Sequence, residues 1–177
     1  MRNQHVRVAA FIFFVLLLSP GVYAASAAGT VAVTATVVGS MSITFSSDAS
    51  GMTLGGSGTS AATIAFGSVQ AYGGSVPAGV TKTVNPPTDW ALSTPFDVDV
   101  EIANLTSANY SLTAQLQSAD ATNTWKLGAT TITNASAATL TGTGSYGVTV
   151  YTFTLTIPFS ETAGAISNTM SFVATAN

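Results

Sequence analysis

The chain of 177 residues contains no cysteine and a single histidine, His5. Disulfide bonds, thiol chemistry and cysteine-ligated zinc are therefore excluded. His5 lies in an N-terminal segment that we expect to be removed, so a Ser–His pair is excluded from the mature chain as well. Carboxylates alone are poor ligands for zinc. These absences predict a protein that is not an enzyme and that uses no cofactor.

Charge is also scarce, since Asp, Glu, Lys and Arg make up only 6% of the residues. Without the N-terminal segment, Lys82 and Lys126 stand against seven acidic residues, which gives a net charge of −5. So few cations cannot hold a phosphate backbone, and nucleic acid is excluded as a partner. A weakly charged surface does little to repel its own copies. We therefore expect self-association.

Long apolar runs are absent except at the N-terminus. There, Arg2 and Arg7 form a positive head before the uncharged core VAAFIFFVLLL, and the residues ending at Ala24 offer a small-residue cleavage site. This is the layout of a secretory signal peptide, and the core is shorter than the roughly 20 residues that span a bilayer. We predict a signal peptide at residues 1–24 and one domain at 25–177, exported through the periplasm to the cell surface or medium, with no membrane span.

Most other segments alternate apolar and polar residues with a period of two, which is typical of half-buried strands. The clearest examples are PFDVDVEI (95–102), YSLTAQL (110–116), YTFTLTIPF (151–159) and NTMSFVATA (168–176). The first two predict a hairpin, and a change of phase near Val150–Tyr151 predicts a bulge. Short strands separated by Gly-rich and Pro-rich breaks predict a single antiparallel β-sandwich.

Three carboxylates, Asp97, Asp99 and Glu101, alternate along one predicted strand face. Neighbours on that face lie about 7 Å apart, twice the rise per residue of a strand. Such a row is a weak candidate for a calcium site if loop carbonyls join it. The favoured alternative is a solvated, charged edge that discourages extension of the sheet.

Trp90 and Trp125 raise the hypothesis of a sugar-binding surface, because an exposed indole can stack on a sugar ring. Trp90 follows the loop-like stretch NPPTD and is therefore the candidate ligand contact. The alternative is that each indole packs in the core or closes one end of the sandwich.

The stretch TVAVTATVVGSMSITF, Thr30 to Phe45, alternates for much longer than an ordinary strand. One hypothesis makes it a donor strand for another molecule, with its apolar side chains as plugs and Gly39 as the hinge before the domain's own first strand. Those plugs are Val31, Val33, Ala35 and Val37. The alternative is one long internal strand that bends at Gly39. We favour the internal strand, because Ala25–Gly29 would be a very short extension.

Three segments together resemble the spore coat protein U domain: VTATVVGSMSITF (33–45), IAFGSV (64–69) and AGAISNTMSFVATA (163–176). The resemblance implies an immunoglobulin-like sandwich similar to the subunits of archaic chaperone–usher pili, with a periplasmic chaperone and an outer-membrane usher as partners. It favours a structural subunit of a surface or pilus-like assembly, joined by strand donation. The alternative function is a monomeric adhesin or carbohydrate-binding module.

Overall fold

The computed structural model describes residues 30–177, so the predicted signal peptide, residues 1–24, lies outside the described residues. This part of the chain forms strands and contains no helix long and apolar enough to cross a membrane. The strands are β1 Ser40–Ser47, β2 Thr81–Asn85, β3 Asp89–Ala103, β4 Tyr110–Leu116, β5 Thr124–Leu127, β6 Thr130–Ile132, β7 Ala138–Gly144, β8 Gly147–Pro158 and β9 Met170–Ala176.

The strands form two sheets that pack as a sandwich. The larger sheet has the order β1-β3-β8-β5-β6, and β2 pairs with the first part of β3; the smaller sheet has the order β7-β4-β9. Every pairing is antiparallel. The predicted antiparallel β-sandwich is confirmed.

The core follows from the period of two, because alternate residues of β3, β4 and β8 point between the sheets. Val98, Val100 and Leu112 are fully buried. One polar side chain, Thr94, is buried with them among the described residues. Its hydroxyl donates to the Gly79 carbonyl and accepts from the Met52 N–H, both at 2.9 Å, so the buried oxygen is satisfied.

The predicted bulge near Val150–Tyr151 is wrong. Strands β3 and β8 pair in unbroken register from Asp89 opposite Pro158 to Val100 opposite Gly147. The apolar residues of the sequence change phase here because Val148 and Val150, although apolar, lie on the outer face of the sheet, where they are 62% and 54% exposed.

The predicted hairpin of residues 95–102 with 110–116 is also wrong. The first segment belongs to β3 in the larger sheet, whereas the second is β4 in the smaller sheet. The intervening residues therefore carry the chain from one layer of the sandwich to the other. Each segment is a strand, as predicted, but the two are not neighbours.

Candidate functional site

The predicted donor segment lies outside the strands of the sandwich. β1 begins at Ser40, and residues 30–39 have no regular secondary structure and are exposed. Val31 and Val33 are each 88% exposed, and Val37 is 72% exposed. The favoured prediction of one long strand running through Gly39 is therefore wrong. The donor hypothesis stays a prediction.

Gly39 is the residue at which this segment enters the sandwich. A side chain there would overlap that of Leu105 and would place a Cβ atom 3.1 Å from the Asn104 carbonyl oxygen. A larger residue at this position would therefore need the Leu105 side chain, which is 40% exposed, to move aside. Whether Gly39 acts as a hinge stays a prediction.

An apolar groove separates β1, the last strand on its side of the larger sheet, from β9, an edge strand of the smaller sheet. Its cavity of about 440 Å³ is lined by Ile43, Phe45, Ser60, Met170, Ser171 and Phe172. The rings of Phe45 and Phe172 lie 5.0 Å apart, and the buried Phe96 ring lies 6.4 Å from each. The groove thus exposes an aromatic cluster that is continuous with the core.

The backbone of β1 is only partly paired along this groove. The N–H of Phe45 donates to the Thr59 carbonyl at 2.8 Å, and the Gly58 N–H donates to the Phe45 carbonyl at 2.7 Å. Because alternate residues of a strand direct their amides to the same side, Met41 and Ile43 point to this edge too. Within residues 30–177 they have no backbone partner on that side.

The opposite seam of the sandwich is closed by comparison. There, the N–H of Leu116 in β4 donates to the carbonyl of Thr133, which directly follows β6, at 3.0 Å. A backbone hydrogen bond thus joins the two layers on that side. The groove between β1 and β9 is the more open of the two seams.

The acidic row does not form an edge of the sheet. Asp97 lies opposite Ser46 of β1 on one side and Val150 of β8 on the other, and Asp99 is flanked in the same way. The edge prediction is wrong because β3 is an interior strand. Burial, together with the charge of Asp48, raises the pKa of Asp97.

The geometry of the acidic row does not support the calcium hypothesis. Among the residues that the structure describes, no three acidic, histidine or cysteine side chains are grouped so that they could hold a metal ion. One oxygen of Asp99, Oδ1, is buried without a hydrogen-bond partner in this part of the chain. Asp97, Asp99 and Glu101 therefore share a sheet face without converging on a site.

Both tryptophans are buried, each 8% exposed. Trp90 is the second residue of β3 and faces the core, so it has no free aromatic face, and the prediction of an exposed ligand contact is wrong. Among the residues that the structure describes, the large aromatic side chain that is exposed is instead Tyr72, 60% exposed and stacked on Phe159 with ring centres 5.4 Å apart. Its loop has no periodic pattern from which this exposure could have been predicted.

A second cavity, of about 250 Å³, lies beside Trp125 and the loop before β5. Asp120 lines this cavity. Its carboxylate accepts hydrogen bonds from the Trp125 indole N–H at 2.8 Å and from the backbone N–H groups of Asn123 and Thr122. Burial acts to raise the pKa of Asp120, but these hydrogen bonds outweigh it and leave the pKa lowered. The carboxylate thus stabilises the conformation of the loop before β5.

Comparison of the chain with protein-family models, with curated proteins and with solved structures finds no match. The functional argument therefore rests on the residues and geometry of this chain.

Proposed function

We propose that the protein is an exported structural subunit of a cell-surface or extracellular, pilus-like assembly, in which each copy donates residues 30–38 to the groove of the next. One observation carries the proposal. The same chain holds an exposed, strand-competent segment that pairs with no strand within residues 30–177, and an apolar groove between two sheet edges.

The donor segment matches what such a groove requires. An added strand supplies main-chain hydrogen bonds to the open edge, and its alternate side chains fill the pockets below. Val31, Val33, Ala35 and Val37 share one face of the segment in an extended conformation. The groove offers an apolar lining and the amides of Met41 and Ile43, which have no backbone partner on that side within the described part of the chain.

A neighbouring copy is a better recipient than the same chain. To lie beside its own β1 in the tightest kind of hairpin, the segment would have to reverse at Gly39, and the two-residue turns of such hairpins use a positive φ. Gly39 does not adopt a positive φ. The segment therefore suits a groove on a second molecule.

Burial of the apolar plugs would contribute a substantial part of the free energy of assembly. Burying each of four apolar plugs contributes roughly 1–2 kcal/mol. Their sum is a large share of the roughly 5–15 kcal/mol that stabilises an ordinary domain. Assembly and subunit stability should therefore be coupled.

Export, the immunoglobulin-like topology and the resemblance to the spore coat protein U domain belong to the same proposal. The charged head, apolar core and cleavage site of residues 1–24 support passage across a membrane. A chaperone and an usher are the partners that the resemblance implies. The rival function, a carbohydrate-binding module, loses its main support because Trp90 is buried.

The test compares two identical substitutions on opposite faces of the segment. Val33→Asp places a carboxylate among the plugs, whereas Val38→Asp places it on the other face, which a donated strand would leave in water. Because a buried, unpaired charge costs several kcal/mol, Val33→Asp should weaken self-association at least about 100-fold. Val38→Asp should change it little. Sedimentation and thermal unfolding across a wide dilution series measure both effects.

A mixing experiment separates the two halves of the interaction. Val33→Asp subunits keep an intact groove, so they should still accept a labelled wild-type donor. Wild-type protein that sediments as a monomer and melts at the same temperature at every concentration would contradict strand donation.

A further inference from the structure

A short loop already occupies part of the edge to which a donor would bind. This edge loop comprises residues 55–63, GGSGTSAAT, and is closed by a pair of hydrogen bonds between Gly55 and Thr63. It meets β1 at Phe45 through the two backbone hydrogen bonds to Gly58 and Thr59. Its Ser60 also lines the groove.

The edge loop and a donor strand compete for the same atoms. The Phe45 N–H can serve one acceptor in good geometry, and in this structure that acceptor is the Thr59 carbonyl. A donor that paired along Met41, Ile43 and Phe45 would need the same N–H and carbonyl of Phe45. Full-length pairing therefore requires the loop to leave.

We propose that the edge loop is a built-in occupant of the groove, bound to β1 in the free subunit and exchanged for the donor segment of a second copy on assembly. This rests on the proposed strand donation and adds its regulation. The loop covers an edge that would otherwise be open to unwanted pairing. Because the loop must leave β1 before a donor can pair along its full length, its displacement adds a kinetic barrier to assembly.

The conformation and exposure of the edge loop would allow it to be released from β1. Residues 55–63 are all exposed, whereas Met52 and Leu54, just before them, are buried in the core. Gly56 and Gly58 have φ values of 70° and 82°, which glycine adopts without strain. The loop can thus detach from β1 while its anchor stays in place.

A reversible cross-link tests the exchange directly. The hydroxyl oxygens of Ser47, at the end of β1, and Ser57, in the edge loop, lie 3.4 Å apart. Since the chain has no cysteine of its own, Ser47→Cys with Ser57→Cys introduces a single disulfide that holds the loop on β1. The probe is a labelled peptide with the sequence of residues 30–39, added to the protein at a dilution where it is monomeric.

The reduced double variant should bind the peptide, and the oxidised form should bind it at least tenfold more weakly, with recovery on reduction. Equal binding by both forms would overturn the edge-loop proposal and leave strand donation standing. Absence of binding by the reduced form and by the wild type would overturn both.

A matched pair of glycine substitutions gives a second test without a cross-link. Gly58 and Gly67 both have positive φ, and a Cβ added at either meets no atom within 4 Å, so alanine adds backbone strain alone. Gly58→Ala should loosen the edge loop and speed assembly roughly fivefold, whereas Gly67→Ala should not. Equal rates for both variants would contradict the exchange.

Hydrogen exchange reports the same event in the unmodified protein. The Gly58 amide is bonded to the Phe45 carbonyl in the free subunit. It should exchange at least tenfold faster once the subunit is assembled. Protection of this amide that persists unchanged in the assembly would show that the loop stays in place.

Discussion

Asp120 shows how one side chain can organise a loop in a protein with few charges. Its carboxylate accepts hydrogen bonds from two backbone N–H groups and from the indole of Trp125, a core residue. Hydrogen bonds to a charged acceptor stabilise more than those to a neutral one. The lowered pKa of Asp120 reflects that preference for the ionised form.

We therefore expect Asp120→Ala to reduce the free energy of unfolding at pH 7 by roughly 1–3 kcal/mol, the cost of leaving its donors without a partner. A lowered pKa in the folded state contributes stability above the unfolded-state value near 3.9, and that stability is lost as the pH falls through the folded-state pKa. The difference between wild type and variant should thus shrink below about pH 4. Urea unfolding at pH 7 and pH 3 measures it.

Asp89→Ala serves as the control for this substitution. The Asp89 carboxylate accepts one side-chain hydrogen bond, from Asn85 at 3.0 Å. Its removal should change stability by about 0.5 kcal/mol or less. An equal loss at Asp120 and Asp89 would argue against the special role of the Asp120 cluster.

Individual strands were largely predictable from the sequence, because burial of one face imposes a period of two. YSLTAQL coincides with β4, and residues 95–102 fall within β3. The neighbours of a strand were not predictable, since alternation identifies a buried face and not the strand beside it. For this reason the sequence predicts an edge for the acidic row, although the row lies in the interior strand β3.

The same limit explains the errors at Trp90 and in residues 30–39. NPPTD is a turn, but β3 begins at its last residue, so Trp90 follows at an inward-facing position. The alternation of residues 30–45 is real, yet a strand forms only where a partner strand is present. In the described chain that partner, β3, pairs with β1 from Ser40 onward.

For Asp97, in the acidic row of β3, we expect removal of the charge to increase stability at neutral pH, the opposite of the effect expected at Asp120. Burial and the charge of Asp48 raise the pKa of Asp97, so its ionised form destabilises the fold at neutral pH. Asp97→Asn should therefore raise the melting temperature at pH 7, and the gain should disappear as the pH falls below about 4, where the wild-type carboxyl is protonated. Thermal unfolding across that range measures the effect.

Glu101→Gln is the matched control on the same face of β3. Its side chain is exposed, so the substitution should leave the melting temperature nearly unchanged. A loss of stability in Asp97→Asn at pH 7 would show that the carboxylate makes a favourable interaction in the folded state.

For the whole molecule, the important division is between the sandwich and the segment before it. The buried hydrophobic residues run from Met52 to Ile157, and those packed around them extend from Met41 to Ala174. Residues 30–39 are exposed and none of them is among these core residues. The sandwich should thus fold without them, although its groove would remain open.

Deletion of residues 30–39 should accordingly give a monomer that unfolds cooperatively but does not assemble. A peptide of the same ten residues should raise its melting temperature saturably, because a ligand that binds only the folded state stabilises it. At 100 times the dissociation constant the gain is about 2.7 kcal/mol, or about 10 °C for a domain of this size. The matched peptide with Val33→Asp should produce almost no shift in melting temperature, since its carboxylate would enter the apolar groove. Equal shifts with both peptides would mean that binding does not depend on the plugs. A deletion variant that fails to fold even with peptide would place residues 30–39 inside the domain's own fold.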